Sequence, residues 1–425
     1  MLTVDRPRPS DQVVAAAVDE PRLWSMHMDL AAIGATAAGG VCRLALSAED
    51  ASARSLLASW AGQAGWRLSV DPIGNLFIRR EGAEPSLEPV VTGSHIDTQP
   101  TGGRFDGAYG VLAGIEVLRA LDDAHVTTRR AIEVAVWTNE EGCRFSPGMM
   151  GSEAFAALRP LEKMLEVTDA AGVSVSQALP HVIAATPNAS RRALGFPLHA
   201  YVEAHIEQGP ELERAGRTIG VVTGIQGTCR LRVEVTGEEA HAGTTRRSQR
   251  RDALLAAIRM VHAIEQHVEA ADPGDDVRLT FGMLKLRPNV PSVVASWAYF
   301  SIDLRHSSDE VMLRLAGEIE GICRKHAGGC EVQVTEIQRA LATRFKGAAF
   351  DAVLAATRSL GYPYMELPSG AGHDARQMAC VCPSAMVFVP CAGGISHNEA
   401  ESATSTDLAA GTRVLARALY ELANS

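Results

Sequence analysis

Histidine and acidic residues recur in short blocks along the chain: His95-Ile96-Asp97, Asp106-Gly107, Glu140-Glu141-Gly142, His205-Ile206-Glu207-Gln208-Gly209 and His397-Asn398-Glu399. Imidazole and carboxylate donors together suit zinc, manganese, cobalt or nickel. Five potential ligands, with an extra carboxylate beside one of them, suggest two metals and a base. That combination activates water and points to a metallohydrolase. Each block alone also has an ordinary reading: a histidine held at a turn, an aspartate before glycine, a solvated pair of glutamates. Adjacent carboxylates such as Glu140 and Glu141 repel unless positive charge lies beside them. At a strand end their side chains point apart, which frees one to bind metal and the other to act as base. His95 and Asp97 share one face of an extended chain, so Asp97 is placed to orient the second ring nitrogen of His95.

These blocks need rigid ends to hold them. Ser47-x-x-Asp50 reads as a capping box before a helix reaching residue 63. Residues 66–70 and 75–79 read as strands around the turn signal Asp71-Pro72-Ile73-Gly74. Residues 89–93 form a short apolar strand that ends at Ser94-His95. Residues 110–121 carry the spacing of a buried helix, and 131–137 are a further strand ending just before Glu140. Strand, helix and strand in this order predict an α/β sheet covered on both faces, with sites at the carboxyl ends of its strands. Residues 155–195 read as helix and loop, with Pro180 and Pro187 as breakers, and 199–206 as a strand ending at the His205 block. From Gly224 the pattern changes. Strands at 231–235, 277–283, 297–304 and 330–336 alternate with helices at 252–268 and 309–325, with few candidate ligands among them. This resembles an inserted ferredoxin-like α+β domain. The helix 348–360 and the strand 384–389 return to the first domain. The predicted organisation is a catalytic dinuclear-metal domain over 1–225 and 343–425, with a mixed central sheet flanked by helices. An inserted α+β domain covers 226–342.

The chain of 425 residues has room for two domains, and 46% hydrophobic with 21% charged residues is ordinary for a soluble globular protein. A net charge of −10 argues against nucleic acid or an anionic membrane surface as the main partner. No apolar run is long enough to predict a membrane span. Residues 1–8 hold two arginines with no apolar stretch directly after them, and the apolar run 13–18 stops at Asp19-Glu20, so no signal peptide is expected. The eight cysteines include no CxxC pair, and Cys380-Val381-Cys382 has strand-like spacing. Reduced, mostly buried thiols in a cytoplasmic protein are expected.

With their flanking residues the blocks become specific. Gly93-Ser94-His95-Ile96-Asp97-Thr98, Gly103-Arg104-Phe105-Asp106-Gly107, Asn139-Glu140-Glu141-Gly142, His205-Ile206-Glu207-Gln208-Gly209, Ala240-His241-Ala242-Gly243-Thr244-Thr245 and Ser396-His397-Asn398-Glu399 stand in this order. They resemble the hydantoinase/carbamoylase branch of the M20 metallopeptidase family, across most of the chain. That branch includes N-carbamoyl-L-amino acid hydrolases, β-ureidopropionases and allantoate amidohydrolases. The His205 block separates it from ordinary M20 peptidases, which usually present a carboxylate at that ligand position.

The resemblance implies two divalent metal ions per subunit, zinc or else manganese, cobalt or nickel. His95, Asp106 and His205 bind one, while Asp106, Glu141 and His397 bind the other, with Asp106 bridging. Glu140 is the base acting on the attacking water, and Asp97 orients His95. The inserted domain 226–342 serves dimerisation or acts as a lid, and its His241 reaches the partner's active site in a homodimer and stabilises the developing oxyanion. Gln208 and Arg305 are substrate-binding positions, Arg305 as a bidentate partner of the substrate carboxylate. Backbone donors of Gly370, Ala371 and Gly372 serve the same carboxylate. The implied reaction cleaves the carbamoyl C–N bond of an N-carbamoyl-L-amino acid to amino acid, carbon dioxide and ammonia. Allantoate or β-ureidopropionate hydrolysis is the alternative within the class, with aminoacylase or dipeptidase action beyond it. A non-catalytic ligand-binding relative is the alternative outside it. Two departures bear on the substrate. Relatives often carry an asparagine where Ser292 stands, and a serine cannot offer both a carbonyl and an NH2 group, so either the substrate differs or Asn289 takes over. Arg246-Arg247 stands where Pro-Met is common. Read without the resemblance, His241 is equally a surface histidine before a glycine turn, Arg305 a partner of Asp303 or Glu310, and His373 a structural neighbour of Asp374.

Overall fold

In the computed structural model, which describes residues 9–425, four apolar strands lie parallel and adjacent in one mixed sheet. In spatial order they are Ser384–Val389, Ala200–Ile206, Val90–His95 and Ile132–Trp137. Every residue of all four is buried, as a sheet covered on both faces requires. Antiparallel strands extend the sheet on both sides, Leu76–Arg80 beside Ile132–Trp137 and Ile219–Ile225 beside Ser384–Val389. Residues 1–8, where no signal peptide was expected, lie outside the described residues. The chain divides into two units, one comprising the described part of Met1–Thr223 with Arg344–Ser425, the other Gly224–Thr343.

The larger unit is organised by register. His95 lies opposite Trp137, and His205 lies opposite Phe388, so the carboxyl ends of the four strands are level. The helix Ala108–Asp123 connects two of them and is buried along most of its length. Val111, Leu112, Ile115, Val117, Leu118 and Leu121 pack in the main core, each contributing about 1.5–3 kcal/mol of transfer free energy. The helix Ala48–Ala64 starts as predicted on Ser47, whose side chain accepts from Asp50 N–H. Asp50 does not close the box; it turns to Leu46 N–H and the Arg54 guanidinium.

Two expectations are corrected here. Pro180 does not break its helix, which runs Val175–Ala184 through it. A full capping box between Ser174 and Gln177 fixes the start, and the carbonyl that Pro180 leaves unpaired belongs to Ser176, an exposed residue. Cys380 and Cys382 are not on a strand but in the turns between the helix Ala375–Met378 and the strand Ser384–Val389. All eight cysteines are free, but only Cys229, Cys323, Cys330 and Cys391 are buried.

His27, on the helix Glu20–Ala31, lies between the rings of Phe105 and Tyr109, with neither ring nitrogen hydrogen-bonded. Burial holds its pKa down at about 3, against an ordinary 6.5. Between these values the unfolded chain binds a proton that the folded chain does not. Stability is therefore full above about pH 6.5 and falls with acid, on the order of 1 kcal/mol per pH unit. His27→Leu, which nearly conserves volume, is expected to lose that slope. Urea unfolding at pH 7, 6 and 5 should show the two proteins diverging steadily; parallel losses would acquit His27.

The smaller unit is a five-stranded antiparallel sheet with the helices Ala253–Ala271 and Asp309–Lys325 packed on it. Its central strands Gly227–Thr236 and Trp297–His306 alternate in burial, with Val233, Val235, Phe300, Ile302 and Leu304 in the core. The order of its four main strands and two helices is the predicted ferredoxin-like one. The expected strand 277–283 is instead two short ones, Arg278–Thr280 and Leu284–Arg287, both paired with Trp297–His306.

Candidate metal centre

The level strand ends of the larger unit gather the blocks read from the sequence. His95 closes its strand, and its Nδ1 donates to the Asp97 carbonyl at 2.9 Å. That leaves Nε2 as a lone pair, 3.9 Å from Asp106 Oδ1 and 3.5 Å from Glu140 Oε2. His205 repeats the arrangement, with Nδ1 on the Ile206 carbonyl at 2.9 Å and Nε2 3.3 Å from Asp106 Oδ1. The other oxygen of Asp106, Oδ2, lies 3.3 Å from His397 Nε2, which is 3.5 Å from Glu141 Oε2. His95, Asp106 and His205 thus present donor atoms within 4.8 Å of one another, and so do Asp106, Glu141 and His397. Asp106 belongs to both groups, with one oxygen toward each. Glu140 belongs to neither.

Asp97 acts differently from expectation. Its carboxylate is 3.8 Å from His95 Nδ1, beyond hydrogen-bond reach. Its two oxygens are drawn instead to the backbone N–H groups of Glu140 and Glu141, at 3.2 and 3.1 Å. The main-chain carbonyl orients the imidazole, and the carboxylate fixes the turn that sends the two glutamates apart. Asn139 makes that turn possible, with a left-handed φ of 55° and its side-chain NH2 on the Phe145 carbonyl at 2.7 Å.

The electrostatics ask for positive charge. Burial works to raise the Asp106 pKa, but the imidazoles of His205 and His397 outweigh it and hold the carboxyl well below its usual range. Burial opposes a proton on His205, yet Asp106 pulls that imidazole up to about 9. The Asp106 hydrogen bond, against burial, lifts His397 to about 9 as well. Burial, then Asp374 and Glu141, push Glu140 well above the carboxylate range, and burial with Asp106 brings Glu141 to about 8. Buried carboxylates here outweigh the cations available, so the cluster collects protons. Divalent cations satisfy the same demand by replacing the protons on the imidazole nitrogens that face Asp106. The donor set therefore fits two borderline metal ions.

Several contributors carried no distinctive sequence signal. Gln99 donates to Glu141 Oε2 at 2.6 Å. Glu401, almost fully buried, accepts from the N–H groups of Phe105 and Asp106. Glu203 accepts from Ser94 Oγ at 2.7 Å and Ala375 N–H at 2.9 Å. Glu203, His205 and His373 also lie within metal-ligating distance of one another. With Nδ1 of His205 engaged, they would compete for the nitrogen that faces Asp106. Gln208, at a left-handed φ of 56°, donates to Asp106 Oδ2 at 2.9 Å and Ser396 Oγ at 3.1 Å. His373 is buried, bonded to Ser369 Oγ at 2.8 Å and edge-on to His205. In the segment Gly370, Ala371 and Gly372, the Ala371 N–H is turned to Ser369 Oγ at 3.1 Å, so it is not an open donor.

Four expected positions lie in the smaller unit. His241 is exposed, and its Nδ1 accepts from the N–H groups of Gly243 and Thr244 at 3.0 and 3.1 Å. With Nδ1 accepting, Nε2 is the ring's N–H donor. Ser292 is beside it, its carbonyl accepting from Ala242 N–H at 3.0 Å next to the strand pair Val293–Val294 and Ala240–His241. Asn289 is exposed at a left-handed φ of 56°. Arg305 sits opposite Thr228 near the far end of its strand and grips Asp303 bidentately at 2.8 and 3.1 Å.

Residues 91–421 match peptidase family M20/M25/M40. The chain is 38% identical over 413 residues to an N-carbamoyl-L-amino-acid amidohydrolase of Rhizobium meliloti, covering 96% of this chain and 97% of that one. It is 36% identical over 402 residues to an allantoate amidohydrolase of Bacillus subtilis (strain 168), covering 93% and 95%. A crystal structure of a hydantoinase/carbamoylase family amidase from Burkholderia multivorans superposes with a TM-score of 0.88 at 44% identity, covering 96% and 98%. With the family match spanning residues 91–421 and the likeness to relatives nearly the full length, the chain belongs to peptidase family M20/M25/M40.

Proposed function

We propose that this chain is a metal-dependent amidohydrolase that cleaves the carbamoyl C–N bond of an N-carbamoyl-L-amino acid, giving the amino acid, carbon dioxide and ammonia. The observation that carries this reading is Asp106, buried with one oxygen toward each of two imidazole–carboxylate groups, with Glu140 outside both. His95, Asp106 and His205 would hold one divalent ion, and Asp106, Glu141 and His397 the other. Bound there, such ions supply polarisation of the scissile carbonyl and a lowered pKa for water. The remaining work belongs to side chains. Glu140 takes the proton from the attacking water and passes it to the leaving nitrogen. Asp97 keeps Glu140 and Glu141 apart through their amides. His241, with its proton on the exposed Nε2, is the donor for the developing oxyanion of a partner subunit in a homodimer. Arg305 exchanges Asp303 for the substrate carboxylate, a like-for-like bidentate pair. In this reading the larger unit is catalytic, the smaller unit serves dimerisation and closure, and the enzyme works in the cytoplasm. Allantoate hydrolysis is the second reading, because the allantoate-cleaving relative is only slightly less similar than the carbamoylase.

The test is ammonia release by metal-stripped protein reloaded with zinc, manganese, cobalt or nickel. The substrates are N-carbamoyl-L-amino acids, N-carbamoyl-β-alanine, allantoate and, with an amine readout, N-acetyl-amino acids. Turnover of an N-carbamoyl-L-amino acid, abolished by chelation and restored by one metal, is expected. Preference for allantoate would install the second reading, and metal-independent or absent turnover would remove both.

A further inference from the structure

We infer that Glu401 is a positioning residue that joins the loop carrying Asp106 to the loop carrying His397, and so sets the spacing of the second metal's ligands. This rests on the proposed metal assignment and adds a residue that touches neither metal nor substrate. Glu401 is 4% exposed. One carboxylate oxygen, Oε1, accepts from Phe105 N–H at 2.8 Å and Asp106 N–H at 3.1 Å. The other, Oε2, is 3.3 Å from Ser396 Oγ, and that hydroxyl lies 3.1 Å from Asp106 Oδ2. The same side chain therefore grips the backbone of the bridging ligand and the hydroxyl that contacts its carboxylate. Gln208 Nε2 closes the ring by reaching both Asp106 Oδ2 and Ser396 Oγ.

Three features say that this grip matters to the metal centre rather than to the core alone. Asp106 and Glu401 are 295 residues apart, so the grip is a tertiary contact that brings two distant loops together at the site. His397 is half exposed at a left-handed φ of 53°, a weakly supported conformation for a ligand. Third, the loop is shaped to admit this carboxylate. A Cβ on Gly103 would stand 2.0 Å from the Glu401 carboxyl carbon, so a glycine is needed for Glu401 to lie against the Asp106 loop. Removing the carboxylate would leave two buried N–H groups without their acceptor.

Partners that orient metal ligands typically change metal affinity or activity 10–100-fold when removed. Glu401→Leu is therefore expected to weaken the second metal roughly 10–100-fold, read by competition with a chromophoric chelator and by metal content after dialysis. On a turned-over ureido substrate, kcat should fall with KM nearly unchanged, since Glu401 does not meet substrate. Glu401→Gln should recover most of the affinity. Its Oε1 still accepts both N–H groups, and its NH2 can donate to Ser396 Oγ. Glu401→Asp, one methylene short, should fail like leucine and decides the matter if the leucine variant does not fold. Two metals bound as tightly by Glu401→Asp and Glu401→Leu as by the wild type would overturn the positioning role while leaving the proposed function standing. A wild type that binds no divalent ion, or an unchanged metal content in His397→Ala, would overturn both.

Discussion

Glu140→Gln should keep both metals and lose roughly 10²–10⁴-fold in kcat, the usual worth of a general acid–base. Glutamine matches glutamate in shape, and Glu140 is in neither donor group, so metal content should match the wild type. The backbone N–H of residue 140 still meets Asp97, so the turn is kept. What disappears is a buried carboxyl able to hold and release a proton, one whose surroundings already favour its protonated form. KM should change little, because the substituted group acts on the proton and not on substrate binding. Metal content by elemental analysis, together with kcat and KM on the best ureido substrate, reads all of this. A variant with full metal and wild-type kcat would remove Glu140 as base and leave the metals without their proton carrier. A variant that has lost metal would instead make Glu140 a ligand.

Much of this centre was legible because its chemistry sits at strand ends. Apolar runs as short as 89–93 and 131–137 mark strands of a covered sheet, and a site at their carboxyl ends follows from the fold class. His95, Glu140, Glu141 and His205 could be placed this way. The orienting role of Asp97 was misjudged because spacing puts a carboxylate near an imidazole but cannot show two backbone amides competing for it. Glu401 was missed for a related reason. Glu399 and Glu401 look alike in Asn398-Glu399-Ala400-Glu401, and only the fold buries one against the Asp106 loop. Pro180 misled because a proline breaks a helix only where its lost hydrogen bond and bulk cannot be absorbed, and here the orphaned carbonyl is on an exposed turn. Arg305 was left open between substrate and Asp303, and in the chain alone it holds Asp303.

Gly107→Ala should strip metal from the His95–Asp106–His205 group and cost on the order of 10²-fold in kcat/KM, although the substituted residue supplies no side chain to the site. An added Cβ would lie 2.3 Å from Cε1, 2.4 Å from Nε2 and 2.5 Å from Cδ2 of His95. The contact falls on the face and edge of the ring that carries the ligand lone pair. The ring cannot retreat, because it is buried and pinned through Nδ1 to the Asp97 carbonyl. Nor can the backbone retreat without cost, because Gly107 N–H lies 3.2 Å from His205 Nε2 and the next residue begins the helix Ala108–Asp123. A second penalty is the backbone itself: at φ 65° and ψ −50° Gly107 makes a γ-turn, with Ala108 N–H on the Asp106 carbonyl at 2.6 Å, a conformation that costs a residue with a Cβ about 1–3 kcal/mol. Gly65→Ala is the control for a positive φ without a clash. Gly65 ends the helix Ala48–Ala64 at a φ of 74°, and nothing lies within 4 Å of its missing Cβ. Both variants should lose stability from backbone strain, measured by urea unfolding of the metal-free proteins, with the γ-turn and the clash making the loss larger at residue 107. Only Gly107→Ala should lose metal. Equal metal content in the two would mean that the His95 ring is not held where the metal needs it. A loss confined to Gly107→Ala would assign the effect to that turn, where the methyl carbon meets the His95 imidazole and the γ-turn backbone holds it there.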